Sequence, residues 1–299
     1  MKLLQSIVTT MSIGMLSIAV NAETITMDLY GKVNVSIQDS AGESELRSNS
    51  SRVGLKGSAV LDEGLEVFYR YELQVDVTDQ SGDDNLKSRN QYIGLRGAFG
   101  ELTLGRNDSL LKQSQGKFDL FSDLEGDIKV LWKGENRMSD SLTYKSPKLI
   151  GIQLGLGYYL DEDNDDAGTS ISVSYGDGAL KQGNYYVALA VDNELKGYNA
   201  TRLTAGTKVA SVKLGLILQN QEKIIDGSDK DGFMLSAQYA IGKFALKGQY
   251  QALDDDSGVS VGVDRKLGKN TKLYGFYTSF NFDAEEDEDY LALGIEHKF

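Results

Sequence analysis

The chain has 299 residues and a formal net charge of −13 at pH 7, a balance that excludes the basic face needed to bind nucleic acid. It contains no cysteine, so disulfides, thiolate metal sites and cysteine nucleophiles are excluded as well. Proline occurs once, at Pro147, and this scarcity is typical of a chain built almost entirely from paired strands, because proline removes a ladder hydrogen bond.

Residues 1–22 predict a secretory signal peptide. Lys2 supplies a positive start, residues 3–20 are uncharged and mostly apolar, and residues 20–22 form a small-residue cleavage pattern. We therefore expect residues 23–299 to be exported as a single domain. A membrane-anchoring helix is the alternative, but the stretch contains several Ser and Thr and lacks a stop-transfer flank.

From residue 28 onward, apolar and polar residues alternate with a period of two. In the first segment, Leu29, Val33 and Ile37 share one face, whereas Lys32 and Asn34 lie on the other. The pattern predicts sixteen strands, several of them about ten residues long, which is the length that a tilted strand needs to cross a bilayer. The predicted strands are 28–38, 51–60, 64–76, 87–96, 100–107, 138–146, 149–159, 169–176, 183–192, 198–208, 211–220, 232–241, 243–252, 257–266, 271–281 and 289–299.

Short and longer connections alternate between these strands, and the longer ones carry the acidic clusters. The third of the longer connections, 108–137, has about thirty residues, and loops of that length in compact domains are functional or disordered. The longer connections are predicted at 39–50, 77–86, 108–137, 160–168, 193–197, 221–231, 253–256 and 282–288. Tight turns on one side and longer loops on the other are typical of an outer-membrane barrel with a polar interior.

A soluble β-sandwich is the alternative fold for alternating strands. It would bury one face in a packed core, whereas here the polar faces carry Lys, Arg, Glu, Gln and Asn in strand after strand. The sequence therefore predicts an all-β fold, a 16-stranded antiparallel transmembrane β-barrel.

Several short segments, weak individually but specific in their order and spacing, resemble the Gram-negative general (non-specific) porin family. They are Leu29–Val33, Ser51–Gly57, Arg89–Leu95, Phe99–Arg106 and Leu142–Ser146. The resemblance implies a homotrimer of passive diffusion channels for small hydrophilic solutes and ions, lying in the outer membrane among its lipid and lipopolysaccharide. It also implies that the third extracellular loop folds inward and narrows each pore, and that the terminal Phe299 is an assembly signal read by the barrel-assembly machinery. The family often has Tyr two residues before that terminus, where this chain has His297.

The resemblance further implies a constriction at which a basic wall faces an acidic loop. The implied wall residues are Lys32, Arg52, Arg89 and Arg137, and the implied loop residues are Asp119, Asp123, Glu125 and Asp127. Strand parity independently places Lys32, Arg52 and Arg137 on polar faces. Arg137 is in phase with Ser139, Ser141 and Thr143. The face of Arg89, by contrast, would also contain Ile93 and Leu95. Charges in a narrow pore select solutes by sign.

Other functions remain open at this point. A substrate-specific channel for sugars or anions is one alternative. A sugar channel would carry an aromatic track along the lumen, and by parity Phe68 and Tyr186 point inward. A non-conducting structural or adhesin barrel would show no conductance. A barrel enzyme is disfavoured because the only histidine, His297, falls on the lipid face, so we expect no catalytic residues.

We expect neither a cofactor nor a bound metal. Asp161, Asp163 and Asp165 match the start of a calcium loop, but position 166 is Asp where that loop requires glycine. The net charge favours cations weakly, although a basic wall at the narrowest point could reverse that preference.

Overall fold

The computed structural model describes residues 25–78, 85–160 and 167–299. The predicted signal peptide, 1–22, and the acidic stretch 161–166 lie outside the described residues. Helical structure in the described part consists of α1 (Leu110–Ser114) and two 3-10 turns, Asp62–Gly64 and Ile128–Val130. No helix among the described residues is long and apolar enough to span a membrane.

The strands form one antiparallel sheet. β2 and β3 are two halves of a single barrel strand, because both pair with β1 and only residues 49–51 interrupt them. The barrel therefore has sixteen strands, which confirms the number predicted from the alternation. The segments are β1 (Ile25–Ser40), β2 (Glu43–Ser48), β3 (Arg52–Val60), β4 (Glu66–Val75), β5 (Leu86–Gly97), β6 (Gly100–Asp108), β7 (Arg137–Lys145), β8 (Ile152–Tyr159), β9 (Gly168–Gly176), β10 (Tyr185–Leu195), β11 (Tyr198–Val209), β12 (Val212–Lys223), β13 (Ser228–Ile241), β14 (Phe244–Leu253), β15 (Asp256–Lys266), β16 (Thr271–Asn281) and β17 (Glu288–Lys298).

The sheet closes on itself through its first and last strands. β17 pairs with β1 in a register that runs from Lys32 opposite Lys298 to Asp39 opposite Leu291. β1 pairs on its other side with β2 and β3, and each further strand pairs with its neighbours in the chain. A closed ring has no sheet edge, so its backbone groups are satisfied without water, as a bilayer requires.

The two faces of the barrel differ as the period of two predicts. On β10, Val187, Leu189 and Val191 are exposed, whereas Ala188 and Ala190 between them are buried. Around the ring, the outer face is a belt of exposed Leu, Ile, Val and Tyr, and the inner face is largely polar. An apolar belt of this extent is compatible with hydrocarbon rather than with water, as expected for a transmembrane barrel.

Several connections predicted to be long are tight turns in the structure. The segment 39–50 was predicted as a loop, but the chain turns at 41–42 and returns as β2. Similarly, the connection predicted at 193–197 is reduced to residues 196–197, and that at 221–231 is reduced to 224–227. These strands continue past the apolar belt, where both faces are polar and the hydrophobic alternation disappears.

Candidate functional site

The connection between β6 and β7, residues 109–136, packs against the inner face of the barrel. Phe118 stacks on Tyr186 with ring centroids 5.8 Å apart, and the Nε1 of Trp132 donates a hydrogen bond to the carbonyl of Ala252 at 3.2 Å. A Cβ at Gly206 would come within 2.0 Å of the Phe118 ring, so only glycine leaves room for this contact. The apolar cluster around these residues comprises Phe118, Ile128, Leu131, Trp132, Leu180, Tyr186, Ala188, Ile217, Met234, Leu253 and Phe280.

Polar contacts join the same connection to the opposite strands. The backbone N–H of Leu120 donates to Gln249 at 2.8 Å, and the side-chain amide of Gln249 donates to the carbonyl of Gly126 at 3.0 Å. The Nη1 of Arg202 lies 2.7 Å from the Oε1 of Glu135, and the Arg202 side chain is fully buried. Arg202, Glu135 and Gln249 were not predicted from the sequence, although Arg202 and Gln249 lie on the inner, polar faces of their strands.

Two of the four predicted loop acids face basic side chains of the wall. Asp123 accepts a hydrogen bond from the Nζ of Lys32 at 2.8 Å and forms a second ion pair with Arg52. These two cations hold the pKa of the Asp123 carboxyl well below its usual range, despite its burial. Glu125 lies 3.0 Å from the Nε of Arg47 and accepts from the side chain of Gln38 at 3.3 Å.

The other two predicted acids stabilise the backbone conformation of the connection 109–136. Asp119 accepts the backbone N–H groups of Phe121 and Ile128, at 3.1 and 3.2 Å. Asp127 accepts those of Asp123 and Lys129, at 2.9 and 3.0 Å, and its carboxylate is also 3.3 Å from the Lys129 ammonium. Within the described parts of the chain, neither Asp119 nor Asp127 forms an ion pair or hydrogen bond with the four predicted wall bases.

The predicted wall bases are also paired with acids of neighbouring strands. The Nη1 of Arg52 lies 3.8 Å from Glu72, and the Nε of Arg89 donates to the same carboxylate at 2.6 Å. Arg137 lies 3.0 Å from Asp108. Neither Glu72 nor Asp108 was predicted from the sequence as a partner of these bases.

Arg89 faces inward because the pairing of β4 and β5 contains a bulge. Tyr71 pairs with Gln91 and Leu73 pairs with Ser88, so two residues of β5, Arg89 and Asn90, lie opposite the single Glu72. A bulge of this kind reverses the side-chain alternation beyond it. Arg89 therefore shares a side of the wall with Glu72, whereas Ile93 and Leu95 point to lipid.

Arg137 also lies at an irregularity, in the pairing of β6 and β7. Its side chain is mostly buried, but Ser139, which parity placed on the same face, is exposed. The inward position of Arg137 thus agrees with the expectation, and Ser141 and Thr143 of the same parity are buried as well, whereas Ser139 departs from this phase.

A cavity of 830 Å³ lies between the connection and the wall. Its described lining contains nine basic and six acidic residues. The basic residues are Arg52, Arg70, Arg89, Lys112, Lys117, Lys129, Arg137, Lys145 and Lys148, and the acidic ones are Glu72, Asp108, Asp123, Asp127, Glu135 and Asp177.

The last residue of the chain is tied to the first barrel strand. The carbonyl of Phe299 accepts the N–H of Gly31 at 3.0 Å, and the Phe299 N–H donates to the Gly31 carbonyl at 3.2 Å. The Phe299 ring covers Gly31, where a Cβ would come within 2.5 Å of it. The terminal residue thus contributes to ring closure.

Comparison with known proteins places these features in a family. The family model described as "Gram-negative porin" matches residues 9–285. A "Monosaccharide porin" of Halomonas sp is 25% identical, with 93% of each chain covered. Among solved structures, an anion-selective porin from Comamonas acidovorans is similar, with a TM-score of 0.79, 25% identity and coverage of 92% of this chain and 100% of that one. The trimer form of OmpT, an outer membrane protein of Vibrio cholerae, is similar with a TM-score of 0.71, 16% identity and coverage of 92% and 99%. The chain therefore belongs to the Gram-negative porin family and is a passive channel of the outer membrane.

Proposed function

We propose that this channel prefers anions, and that the cavity between residues 109–136 and the basic wall is its constriction. The main support for this proposal is the charge of the cavity lining, which contains nine basic and six acidic side chains. Fixed charges beside a narrow pore with low-dielectric walls focus their field on the permeating ion. The positive excess raises the local concentration of small anions, although the chain as a whole carries −13.

Much of the negative charge of the chain lies far from this cavity. Acidic residues crowd the connections at one end of the barrel, for instance Asp226 in the turn 224–227 and the run from Glu285 to Asp289. At physiological salt, exposed charges are screened beyond about 8 Å. The nearby lining charges therefore control selectivity more strongly than the outer loops, which is why the net charge is a poor guide here.

The arrangement of charge supports a transverse field at the constriction. Asp123 on the connection faces Lys32 and Arg52 on the wall. Arg70 adds a further positive charge to the lining, with its guanidinium 5.7 and 5.8 Å from the rings of Tyr30 and Tyr92 and no salt bridge among the described residues. Opposed rows of charge orient dipolar solutes as well as selecting ions by sign.

A salt gradient across a planar bilayer tests this proposal. With KCl at different concentrations on the two sides, the reversal potential should have the sign of a channel more permeable to chloride than to potassium. A reversal potential of the opposite sign would overturn the anion preference, and an absence of conductance would indicate a structural barrel instead.

The lining favours a non-specific channel over a sugar-specific one. The Halomonas relative is named a monosaccharide porin. A sugar-specific channel is expected to carry an aromatic track along its pore. Among the described lining residues of the cavity, Tyr186 is the one aromatic side chain, and its ring is stacked on Phe118. Liposome swelling rates that depend on the size of the sugar and not on its identity are the expected result.

The family and fold are those of non-enzymatic channels, and we propose that this chain has no catalytic activity. Its single histidine, His297, is exposed on the lipid face and shares a hydrogen bond with Thr271 at 2.8 Å. Assays for lipid and peptide hydrolysis should therefore give no turnover.

We also propose a homotrimer, by analogy with the trimer form of the Vibrio cholerae protein. Closure of single channels in three equal steps would support it. Recognition of Phe299 by the barrel-assembly machinery and contact of the outer loops with lipopolysaccharide belong to the same proposal.

A further inference from the structure

Arg70 on β4 is a cation of the cavity lining that has no acidic partner. It precedes Glu72 on the inner face of the strand, toward the end of the barrel with the short turns, which is the periplasmic end in this class of barrel. Among the described residues, its guanidinium forms neither a hydrogen bond nor a salt bridge, and its Nε is buried without a partner. Buried polar groups are almost always hydrogen-bonded, so the donors of this side chain are unused.

Both acids on the inner face of β4 are already paired with other arginines. Glu72 accepts a hydrogen bond from the Nε of Arg89 at 2.6 Å. Glu66 accepts two from Arg96, at 2.7 and 2.8 Å. Because neither carboxylate is free to neutralise Arg70, the ion that balances its charge has to come from the pore.

Two tyrosine rings hold the Arg70 guanidinium in place. The centroids of the Tyr30 and Tyr92 rings lie 5.7 and 5.8 Å from it. The Tyr30 ring lies across Gly54 of β3, where a Cβ would come within 2.5 Å of it, and its hydroxyl donates to Glu72 at 2.9 Å. Cation–π contacts orient a guanidinium without using its N–H donors. The arginine is therefore pre-organised for a ligand that accepts hydrogen bonds.

A second cation lies directly opposite Arg70. Lys56 of β3 is its cross-strand partner, is exposed, and has its ammonium 5.6 Å from the centroid of the same Tyr30 ring. Asp28 lies opposite Lys56 on β1, but the two form no ion pair within the described parts of the chain. Like charges directly opposite each other on a sheet are destabilising. An anion between Lys56 and Arg70 would remove that repulsion.

We propose that Arg70 and Lys56, framed by Tyr30 and Tyr92, form a binding site for a small oxyanion on the periplasmic side of the constriction. The guanidinium offers parallel N–H donors that match two oxygens of one phosphate or carboxylate group, and the ammonium supplies a second positive charge. Doubly charged phosphate is held more tightly than a single carboxylate, because two cations face it. This inference rests on the proposed anion preference and names the class of anion that the pore retains.

Block of the KCl current by inorganic phosphate tests this site. Single channels of the full-length protein are recorded in planar bilayers at pH 8, with phosphate replacing part of the chloride at constant ionic strength. Because a bound dianion cancels the charge of both cations, we expect the current to fall with phosphate concentration and then to level off. Acetate should need about a tenfold higher concentration for the same block. A fall that stays proportional to the phosphate concentration would reflect simple replacement of chloride and would overturn the proposal.

Variants separate binding at this site from the general field of the pore. Arg70→Gln should raise the half-blocking phosphate concentration about tenfold, and Arg70→Lys, which keeps the charge but loses the paired donors, should raise it less. Lys56→Gln alters an exposed side chain outside the tyrosine frame and should raise it about threefold. Arg96→Gln removes an equal charge from a guanidinium already bonded to Glu66 and is the matched control, with no more than a small change expected. Equal effects of Arg70→Gln and Arg96→Gln would overturn the site.

The oxyanion site and the anion preference fail in different measurements. A reversal potential with the sign of chloride preference, together with no saturable block, overturns the oxyanion site and leaves the anion preference intact. A reversal potential with the sign of potassium preference overturns the anion preference, whereas a saturable block that Arg70→Gln abolishes would still support the oxyanion site.

Discussion

Two of the ion pairs that connect residues 109–136 to the barrel wall differ in their access to water. Arg202 and Glu135 are 0% and 9% exposed, and of these two only Glu135 borders the cavity, whereas Arg52 and Asp123 are 17% and 22% exposed and both line it. In a buried, dry pair the field acts mainly between the two partners, so the pair attaches the connection to the wall. A water-exposed, wet pair also acts on ions that pass through the pore. The same residue types thus serve attachment in one region and permeation in the other.

The largest effect is expected from breaking the dry pair. Arg202→Met leaves Glu135 buried without its cation, which should weaken attachment of the connection by about 3–5 kcal/mol. The rate of protease cleavage within 109–136 of the folded protein and the noise of the open-channel current should both rise. Adding Glu135→Met should restore most of the attachment, because an apolar pair of similar volume can replace a buried ion pair. Cleavage equally fast in the single and double variants would contradict this assignment.

The attachment should also depend on pH through Asp119. Burial and the neighbouring Asp127 raise the pKa of Asp119 to about 8, whereas an unfolded chain gives about 4. Between about pH 4 and 8, the Asp119 carboxyl is protonated when the connection is attached and ionised when it is detached. Attachment is therefore strongest below about pH 4 and is lost as the pH rises through about 8. Protease cleavage within 109–136 should accelerate from pH 6 to pH 9, after correction for the activity of the protease.

Two substitutions check the source of that pH dependence. Asp119→Asn keeps the side chain neutral and should flatten the profile. Asp226→Asn removes an acid of the exposed turn 224–227 and should leave the profile as in wild type. An unchanged profile in Asp119→Asn would show that another group controls the attachment.

The barrel could be predicted from sequence because its signal repeats. Alternation on β1 recurs in strand after strand, and the predicted strands agree with the observed ones to within a few residues over most of the chain. β2 was missed because it extends beyond the apolar belt, where Glu43 and Glu45 give no hydrophobic face.

The candidate site was less predictable because it depends on local irregularity and on tertiary contacts. The bulge opposite Glu72 turns Arg89 inward against the parity of Ile93. Asp119 and Asp123 are four residues apart in one acidic loop, yet one accepts hydrogen bonds from the loop backbone and the other contacts the wall. Composition and spacing contain no information that separates these two acids.

Removing a wall charge should give the largest change in selectivity. Arg52→Gln takes a cation from the lining and leaves Asp123 paired with Lys32 alone. The chloride-to-potassium permeability ratio should therefore fall by about two- to fivefold, since a unit charge at about 4 Å in water contributes about 1 kcal/mol. Reversal potentials in a KCl gradient measure this ratio. Arg265→Gln, which removes the same charge from the lipid-facing wall, is the matched control and should not change the ratio. Equal ratios in wild type and Arg52→Gln would place the constriction elsewhere.

The smallest effect is expected from the acid between the wall bases. Asp123→Asn should raise the permeability ratio for chloride by about twofold, less than the opposite change at Arg52, because Lys32 and Arg52 already screen this carboxylate from the permeating ion. Asp226→Asn removes one acid from an exposed turn and is the control, with no expected change because salt screens that position. If both variants raised the ratio equally, net charge would control selectivity. A change confined to Asp123→Asn would instead assign that control to the wet pair of the lining.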